Sequence, residues 1–578
     1  MWPSDPRYQH QQKQEEEITD MDPNKLNNND MVLSKAIKLD EEMLKLPNRV
    51  SETLTGHNIL ITGGTGFMGK VFIEKVLRKT PNVGAIYLLV RNKKGKDPKE
   101  RLKDVFSSPL FNQLKEERGA DIIDRKIHPV LGDVSLPDLG LSKEDRQFLA
   151  DNITIVYHMA ATIRFDEALK KAVLLNTRGT KLMLQLAKEM KKLQLFGHVS
   201  TAYCHLNEPV LEEKPYPPPA DPHNIIKCME WMSDEVAESM TKKILGNLPN
   251  TYAYTKALAE HLVVEQFDNL PVGIMRPSIV VPIWKEPLPG WTDNINGPTG
   301  LLIGAGKGVI RSMYCDSDSY ADFLPVDIAV NAMMVATWNW LARGDRSRRI
   351  CHMTSSSEIK ISWAEIVELG RSIVENVVPL NGVAWYPGGS LKKNRTYHNI
   401  CVFFFHWVPA YILDVFIWCA GYEPVLKRVQ NRIQKGFDVF EYYANNQWDF
   451  KNTSALYIRP LLNERERREY KVDGEGIDFI EYFTDCVKAA RVYILNEMPD
   501  TIPAARRHMR VMYWVDWAAN ILFWYFIVYL MTLCSTTVHD AREAAFGLVG
   551  SGFRAILGGD SSAAASAAAS ASVPMADL

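Results

Sequence analysis

The sequence predicts an α/β protein built on a doubly wound parallel sheet, with a helical C-terminal domain and membrane-associated helices behind it. Three observations carry that expectation. Short apolar runs alternate with helical patterns, a glycine cluster closes the first run, and past about residue 330 long aromatic-rich helical stretches take over. At 578 residues the chain has room for more than one domain. Lys and Arg number 67 against 69 Asp and Glu, for a net charge of −2, which argues against nucleic acid as a partner. The 46% hydrophobic and 24% charged content excludes wholesale disorder.

Residues 1–52 read as a disordered lead-in, with glutamines running into Glu15, Glu16 and Glu17 and then Asn27, Asn28 and Asn29. They show no secretory signal pattern, so the domain that follows is expected to face the cytosol. Asn58–Thr62 has the look of a buried parallel strand. The helix after it puts Phe72, Ile73, Val76 and Leu77 on one face and Glu74, Lys75 and Arg78 on the other. Further strands are expected at Ala85–Val90, Ile127–Leu131, Ile153–Tyr157, Leu195–Val199 and Val272–Met275, with helices between them such as Thr180–Lys192. The sheet domain is expected over 53–375, the helical domain over 376–510, a membrane helix over 511–535 and a flexible tail over 536–578, the last on its Ala/Ser tract Ser561–Ser572.

Two runs are apolar enough to meet a bilayer. Ile400–Ala420 carries His406, Pro409 and Asp414, and an acid in mid-run is costly in lipid, so a buried or membrane-lying helix is expected there rather than a span. Ala518–Cys534 is cleaner and is expected to cross. Trp514, Trp517, Trp524 and Tyr525 supply an aromatic flank; Arg506, Arg507 and Arg510 precede the run, and Arg542 and Arg554 follow at a distance, which puts the N-terminal side in the cytosol. The eight cysteines form no CxxC pair and lie near no zinc-spaced histidines, so they are read as reduced, buried or incidental thiols, with no metal expected.

The chemistry sits in three motifs. Thr62-Gly-Gly-Thr-Gly-Phe-Met-Gly69 fits G-x-x-G-x-x-G: Gly63 for the turn out of the strand, Gly66 for close approach to a pyrophosphate, Gly69 for packing of helix on strand. Thr65, Phe67 and Met68 complete the turn, and the helix N-terminus faces the phosphates with its positive dipole end. No acid follows Ala85–Val90 to hold a ribose 2′-hydroxyl. Arg91, with Asn92 beside it, suits a 2′-phosphate, so NADPH is the expected cofactor. Tyr252-Ala-Tyr-Thr-Lys256 places a phenol and an ammonium four apart on one helix face. The ammonium is expected to lower the phenol's pKa so that Tyr252 can protonate a carbonyl oxygen as hydride arrives. Tyr254 lacks a Lys four residues on. The hydroxyl of Thr201 or Ser200 would make the second hydrogen bond to that oxygen, with Thr201 preferred.

Together these elements resemble the extended short-chain dehydrogenase/reductase family and its Rossmann-type sheet. Gly132-Asp133-Val134 resembles its adenine-contacting turn, His158–Thr162 the segment lining the cofactor (Ala160 and Ala161 within it), Asn176–Thr180 its Asn-containing helix start, and Arg276-Pro277-Ser278 the turn near the nicotinamide. Ala160–Glu167, His198–Tyr203 and Asn296–Leu302 resemble the alcohol-forming fatty acyl-CoA reductases in particular, and 395–496 is similar to that family's C-terminal domain. Plainer readings stand beside these: Asp133 as a turn residue, Asn176 as a helix cap, His158 and His198 as packed or hydrogen-bonded histidines, and the Pro215–Pro219 stretch as a stiff loop rather than the border of an acyl tunnel.

The resemblance implies that long-chain fatty acyl-CoA is reduced with two NADPH to a primary alcohol. The route passes through a hemithioacetal and an aldehyde, with Tyr252 as proton donor, Thr201 holding the oxygen, and Lys256 also binding the ribose. It implies membrane lipid as a partner and a cytosol-facing site at an endoplasmic reticulum, peroxisome or lipid-droplet surface. Alternatives are a membrane-attached sterol or nucleotide-sugar enzyme of the same fold, or an inactive membrane scaffold.

Overall fold

Parallel pairing of short, largely apolar runs builds the centre of the computed structural model, which describes residues 41–534 apart from 93, 94, 96, 296, 297, 356, 357 and 359. Most of the lead-in, the tail and the first two residues of Asn296–Leu302 therefore lie outside the described residues. Among these residues, seven strands form one parallel sheet: β1 (Ile59–Thr62), β2 (Ile86–Val90), β3 (Ile127–Leu131), β4 (Ile155–His158), β5 (Leu195–Val199), β6 (Val272–Pro277) and β7 (Ile350–Met353). Their spatial order is β3-β2-β1-β4-β5-β6-β7. Ile59 sits opposite Ile86 on one side and Ile155 on the other. Side chains alternate between two cores. Ile59, Ile61, Ile86, Leu88 and Tyr157 face one, and Leu60, Val156 and Phe196 face the other. Burying each such side chain contributes roughly 1.5–3 kcal/mol.

The expected six strands are present with ends shifted by up to two residues; β7 was not anticipated. Its Ile-Cys-His-Met sequence has one β-branched residue, a weak strand signal. Helices α1 (Phe67–Lys79), α2 (Gly179–Glu189), α3 (Thr251–Val264) and α4 (Val326–Leu341) cover the sheet. Almost every residue of α4 is buried, which erases the polar face that a helical period needs. The alternation thus continues past residue 330.

The ordered chain also starts earlier than the boundary drawn at residue 52. Arg49–Glu52 is a short helix with Val50 and Ser51 buried, and Asn48 caps it. Arg49 Nε reaches the buried carboxylate of Glu466 at 3.0 Å, tying the start of the described chain to the helix Glu464–Glu469. Ile458, Leu462, Tyr470 and Tyr482 join the same core as β1 and α1, so the C-terminal helices share the sheet's interior.

Past the sheet, α5 (Arg395–Cys419) turns into α6 (Leu426–Ala444), and α7 (Ile502–Cys534) closes the described chain. Asp414 of α5 is buried because its carboxylate accepts the backbone N–H groups of Val425, Leu426 and Lys427 at 3.0, 2.9 and 2.8 Å. The acid caps the start of α6, where donors lack intrahelical partners. The same helix exposes Phe403, Phe404, Phe416 and Trp418. The N-terminal half of α7 is docked: Asp516 accepts from Arg311 at 3.1 Å and from the Trp385 indole, and His508 meets the Val383 carbonyl at 3.0 Å. Its C-terminal half exposes Leu522, Trp524, Phe526 and Met531, and Phe405 of α5 packs near Phe523 with ring centroids 6.1 Å apart. Among the described residues two helices are long and apolar enough to cross a membrane, Arg395–Cys419 and Pro499–Thr532.

Candidate active site

Because the strands are parallel, their carboxyl ends share one edge of the sheet, and the sequence-predicted residues line up along it. Gly63 follows β1, Arg91 follows β2, Asp133 follows β3, Ala160 follows β4, Ser200 and Thr201 follow β5, and Pro277 ends β6. The strand order reverses between β1 and β4, where ligands of such sheets bind.

The turn after β1 is closed by glycine. Gly63 has φ of +77°, and a Cβ there would lie 2.8 Å from the Ala160 nitrogen. A Cβ on Gly69 would meet the Gly63 carbonyl oxygen at 2.5 Å. Helix α1 begins at Phe67 behind an extended Gly66 with no side-chain cap, so its first amides are left for a ligand. Thr65, Phe67 and Met68 are half-buried and Gly66 is exposed at that mouth; Phe67 packs on Trp291 at 5.9 Å.

At the end of β2, Arg91 and Asn92 are exposed, and Arg91 stands 3.6 Å from the Asp133 carboxylate. Asp133 also accepts from the Ser135 amide and hydroxyl, at 2.9 and 2.7 Å. Its neighbour Val134 is buried against Gly179 at the start of α2. Arg101 was not singled out from the sequence. Its guanidinium donates to Thr65 Oγ1 and to the Arg91 carbonyl, both at 2.9 Å, so it joins the glycine turn to the β2 end. Burial and then the Arg91 charge lower its pKa, against Asp133. The available signal was an Arg one turn into the helix Pro98–Phe106 that follows the basic loop.

After β4, the Ala160 amide donates to Thr62 Oγ1, which pairs with His158 Nδ1 at 2.7 Å. His158 Nε2 meets Thr180, and burial holds this ring neutral with a pKa down to about 3. It is a brace. His198 is buried beside it with neither ring nitrogen partnered among the described residues, and burial keeps it neutral too. Ala161 is half-buried in the same segment. Asn176 is neither a helix start nor a cap: it lies inside a widened turn, Val173–Arg178, that runs into α2. Its amide clamps both polar groups of the Thr162 backbone, at 2.8 and 3.2 Å, and donates to Thr255 of α3 at 2.9 Å.

Helix α3 is capped by Asn250, whose side chain takes the Ala253 amide and donates to Tyr443. In the first turn of α3, Tyr252 lies close enough to Thr201 for that hydroxyl to hold its pKa down. Thr201 accepts the Tyr203 amide, whereas the Ser200 hydroxyl is buried without a partner among the described residues. Lys256 Nζ donates to the Val199 carbonyl at 2.7 Å. Burial raises the Tyr252 pKa, against Thr201, and Lys256 does not lower it as expected: the ammonium is hydrogen-bonded to Val199, and the half-buried phenol lies beside Phe165. Burial brings Lys256 down to about 8, opposed by Glu260 one turn further along.

Beneath these groups lies an ion pair that sequence reading passed over. Arg276 donates to both oxygens of Glu260, at 2.9 and 2.7 Å, with both side chains almost fully buried. Burial would raise the Glu260 pKa, but Arg276 and His205 hold it well below its ordinary value. Cys204, His205 and Glu260 offer ligand atoms within 4.8 Å of one another. With the guanidinium on both Glu260 oxygens, a second cation there is opposed by charge. Tyr216, in the proline stretch, stacks on His205 and lies over Arg276, so this loop roofs the ion pair.

Comparison with known proteins matches the same two regions. Two family models, each described as male sterility protein, fit the chain: an NAD-binding one over residues 61–333 and one named Sterile over residues 405–497. Fatty acyl-CoA reductase 1 of Xenopus laevis is 37% identical over 486 residues, covering 83% of this chain and 93% of that protein. Fatty acyl-CoA reductase 2 of Mus musculus is 35% identical over 477 residues, covering 82% and 92%. Among solved structures, the terminal reductase domain of the myxalamid biosynthetic pathway superposes with a TM-score of 0.51 at 18% identity, over 79% of this chain and 98% of that one. That last likeness is one of fold.

Proposed function

The chain belongs to the fatty acyl-CoA reductase family of NAD(P)-binding oxidoreductases, and we propose that it reduces long-chain fatty acyl-CoA to a primary alcohol with two NADPH. The observation that carries this reading is the placing of Tyr252 beside Thr201 at the end of β5, with Lys256 one turn further along α3.

The residues fit the cofactor. The uncapped start of α1 offers amides to a pyrophosphate, Arg91 and Arg101 offer guanidinium groups to a 2′-phosphate, and Asp133 and Val134 lie where an adenine would rest. When bound, the nicotinamide supplies hydride to the substrate carbon. Thr201 and Tyr252 hold the thioester oxygen, and Tyr252 gives it a proton. Collapse of the resulting hemithioacetal expels coenzyme A and leaves an aldehyde, which the same two hydroxyls hold for a second reduction. Lys256 would anchor the ribose. We further propose a membrane-bound protein: α7 crosses the bilayer beyond its docked half, and α5 lies on the surface with its exposed aromatics in lipid.

Membranes carrying the protein, given palmitoyl-CoA and NADPH, should oxidise two NADPH for each free thiol released. A one-to-one ratio stops the reaction at aldehyde, and no oxidation rejects the reading. Tyr252→Phe should lose roughly 100-fold or more in turnover, as removal of a positioned acid does. Unchanged turnover would remove the phenol from the mechanism.

A further inference from the structure

We propose that an apolar cavity between the helix Pro298–Gly306, the helix Trp363–Ser372 and the strand Ser390–Lys392 holds the acyl chain, and that its floor sets the chain length accepted. This rests on the reductase reading and adds to it the place and limit of the hydrocarbon. The cavity encloses about 70 Å³ and opens through a wider apolar mouth. Leu301, Leu302, Ala305, Met313, Ile366 and Leu391 supply its walls. The polar groups at its edge are engaged elsewhere. Arg371 donates to the Gly389 carbonyl at 2.7 Å and to Glu368 at 3.2 Å, and the Ser312 hydroxyl meets His398 at 2.9 Å. The Trp363 indole N–H is buried without a partner among the described residues, and the rest of the lining is mainly hydrocarbon.

Its position ties it to the site. Ile279 comes two residues after Pro277 and packs against two clusters at once. On one side are Ala202, Tyr203 and Ala253, which flank Thr201 and Tyr252 in sequence; on the other are Leu301, Ala305, Met313 and Trp363. Phe165, whose ring lies 5.4 Å from that of Tyr252, packs on the first of these clusters as Ile279 does, so a path of apolar side chains runs from Tyr252 toward the cavity. At its far side, Pro387 and Gly388 form the wall, and the adjoining Tyr386 packs on Tyr513 of α7 with centroids 5.3 Å apart. A thioester held at Tyr252 thus lays its tail past Ile279 toward the side from which α7 departs. A flexible chain buries about 0.8 kcal/mol per methylene, or roughly fourfold in affinity, so a wall moved by one or two methylenes changes preference measurably.

The test uses the full-length protein in phospholipid vesicles and compares kcat/KM for decanoyl-CoA and stearoyl-CoA. Ala305→Phe fills the cavity and should raise the decanoyl-to-stearoyl ratio roughly tenfold or more; Leu301→Ala enlarges it and should lower the ratio several-fold. Unchanged ratios in both variants, with wild type active, overturn the cavity and leave the reductase reading standing. An inactive wild type overturns that reading instead, and the cavity is then judged by labelling. A palmitoyl-CoA with a photoreactive diazirine at its tail should mark residues 298–306 or 363–372. Labelling confined to other segments, or none, overturns the proposal.

Discussion

The ammonium of Lys256 is buried, hydrogen-bonded to Val199, and loses its proton near pH 8. Below that value it is charged; as pH rises through it, the charge leaves. If the charged form anchors the ribose and supports proton transfer, kcat/KM should be flat near neutrality and fall about tenfold per unit above about pH 8. A profile flat through about pH 10 would free Lys256 of that role. Arg276 is a structural counterpart. Arg276→Ala leaves the Glu260 carboxylate buried with its main partner gone and should cost about 3–5 kcal/mol in denaturant unfolding; Arg276→Met with Glu260→Leu should recover most of it. Tyr252, Lys256 and Thr201 were legible because spacing on a helix and position after a strand are written along the chain. Glu260 with Arg276, and Arg101 with Thr65, were not, since each pair joins residues from different elements.

The glycine turn and α1 were the most readable element, and the structure gives the reason for each position. A methyl group at Gly69 meets backbone, not a yielding side chain, so the first turn of α1 must move. Gly69→Ala should weaken NADPH binding roughly tenfold or more, measured by quenching of protein fluorescence, while the melting temperature changes little. Strand β7 and helix α4 hid for opposite reasons: one has too little β-branched sequence, the other is apolar on all sides. The family resemblance puts Asn176 at a helix start and residue preference makes it a cap, yet a widened turn places it mid-helix, where its amide serves two neighbours. Local preference yields there to a tertiary demand.

For the molecule as a whole, the reductase sheet and the C-terminal helices behave as one body. Arg49 with Glu466 and the shared core of Ile458, Leu462 and Tyr470 bind them together. Composition could show two textures but not that they interlock. Docking of α7 up to Asp516, with an exposed apolar stretch beyond it, divides the proposed membrane contact into two parts. A chain ending at residue 517 keeps Asp516 and should still pellet with vesicles through α5, but alkaline carbonate should strip it, whereas the full chain should resist. Carbonate resistance of the shortened chain would show that α5 also spans.

The carboxylate of Asp414 has a mechanical consequence. By fastening the last turns of one helix to the opening amides of the next, it ties the two arms of the elbow between α5 and α6 together. Exposed aromatic rings on one arm and Lys427 and Arg428 on the other are thus held in one fixed relation. If α5 lies on a bilayer as proposed, the hinge angle of the elbow sets how deep it sits and the height at which the catalytic opening is carried.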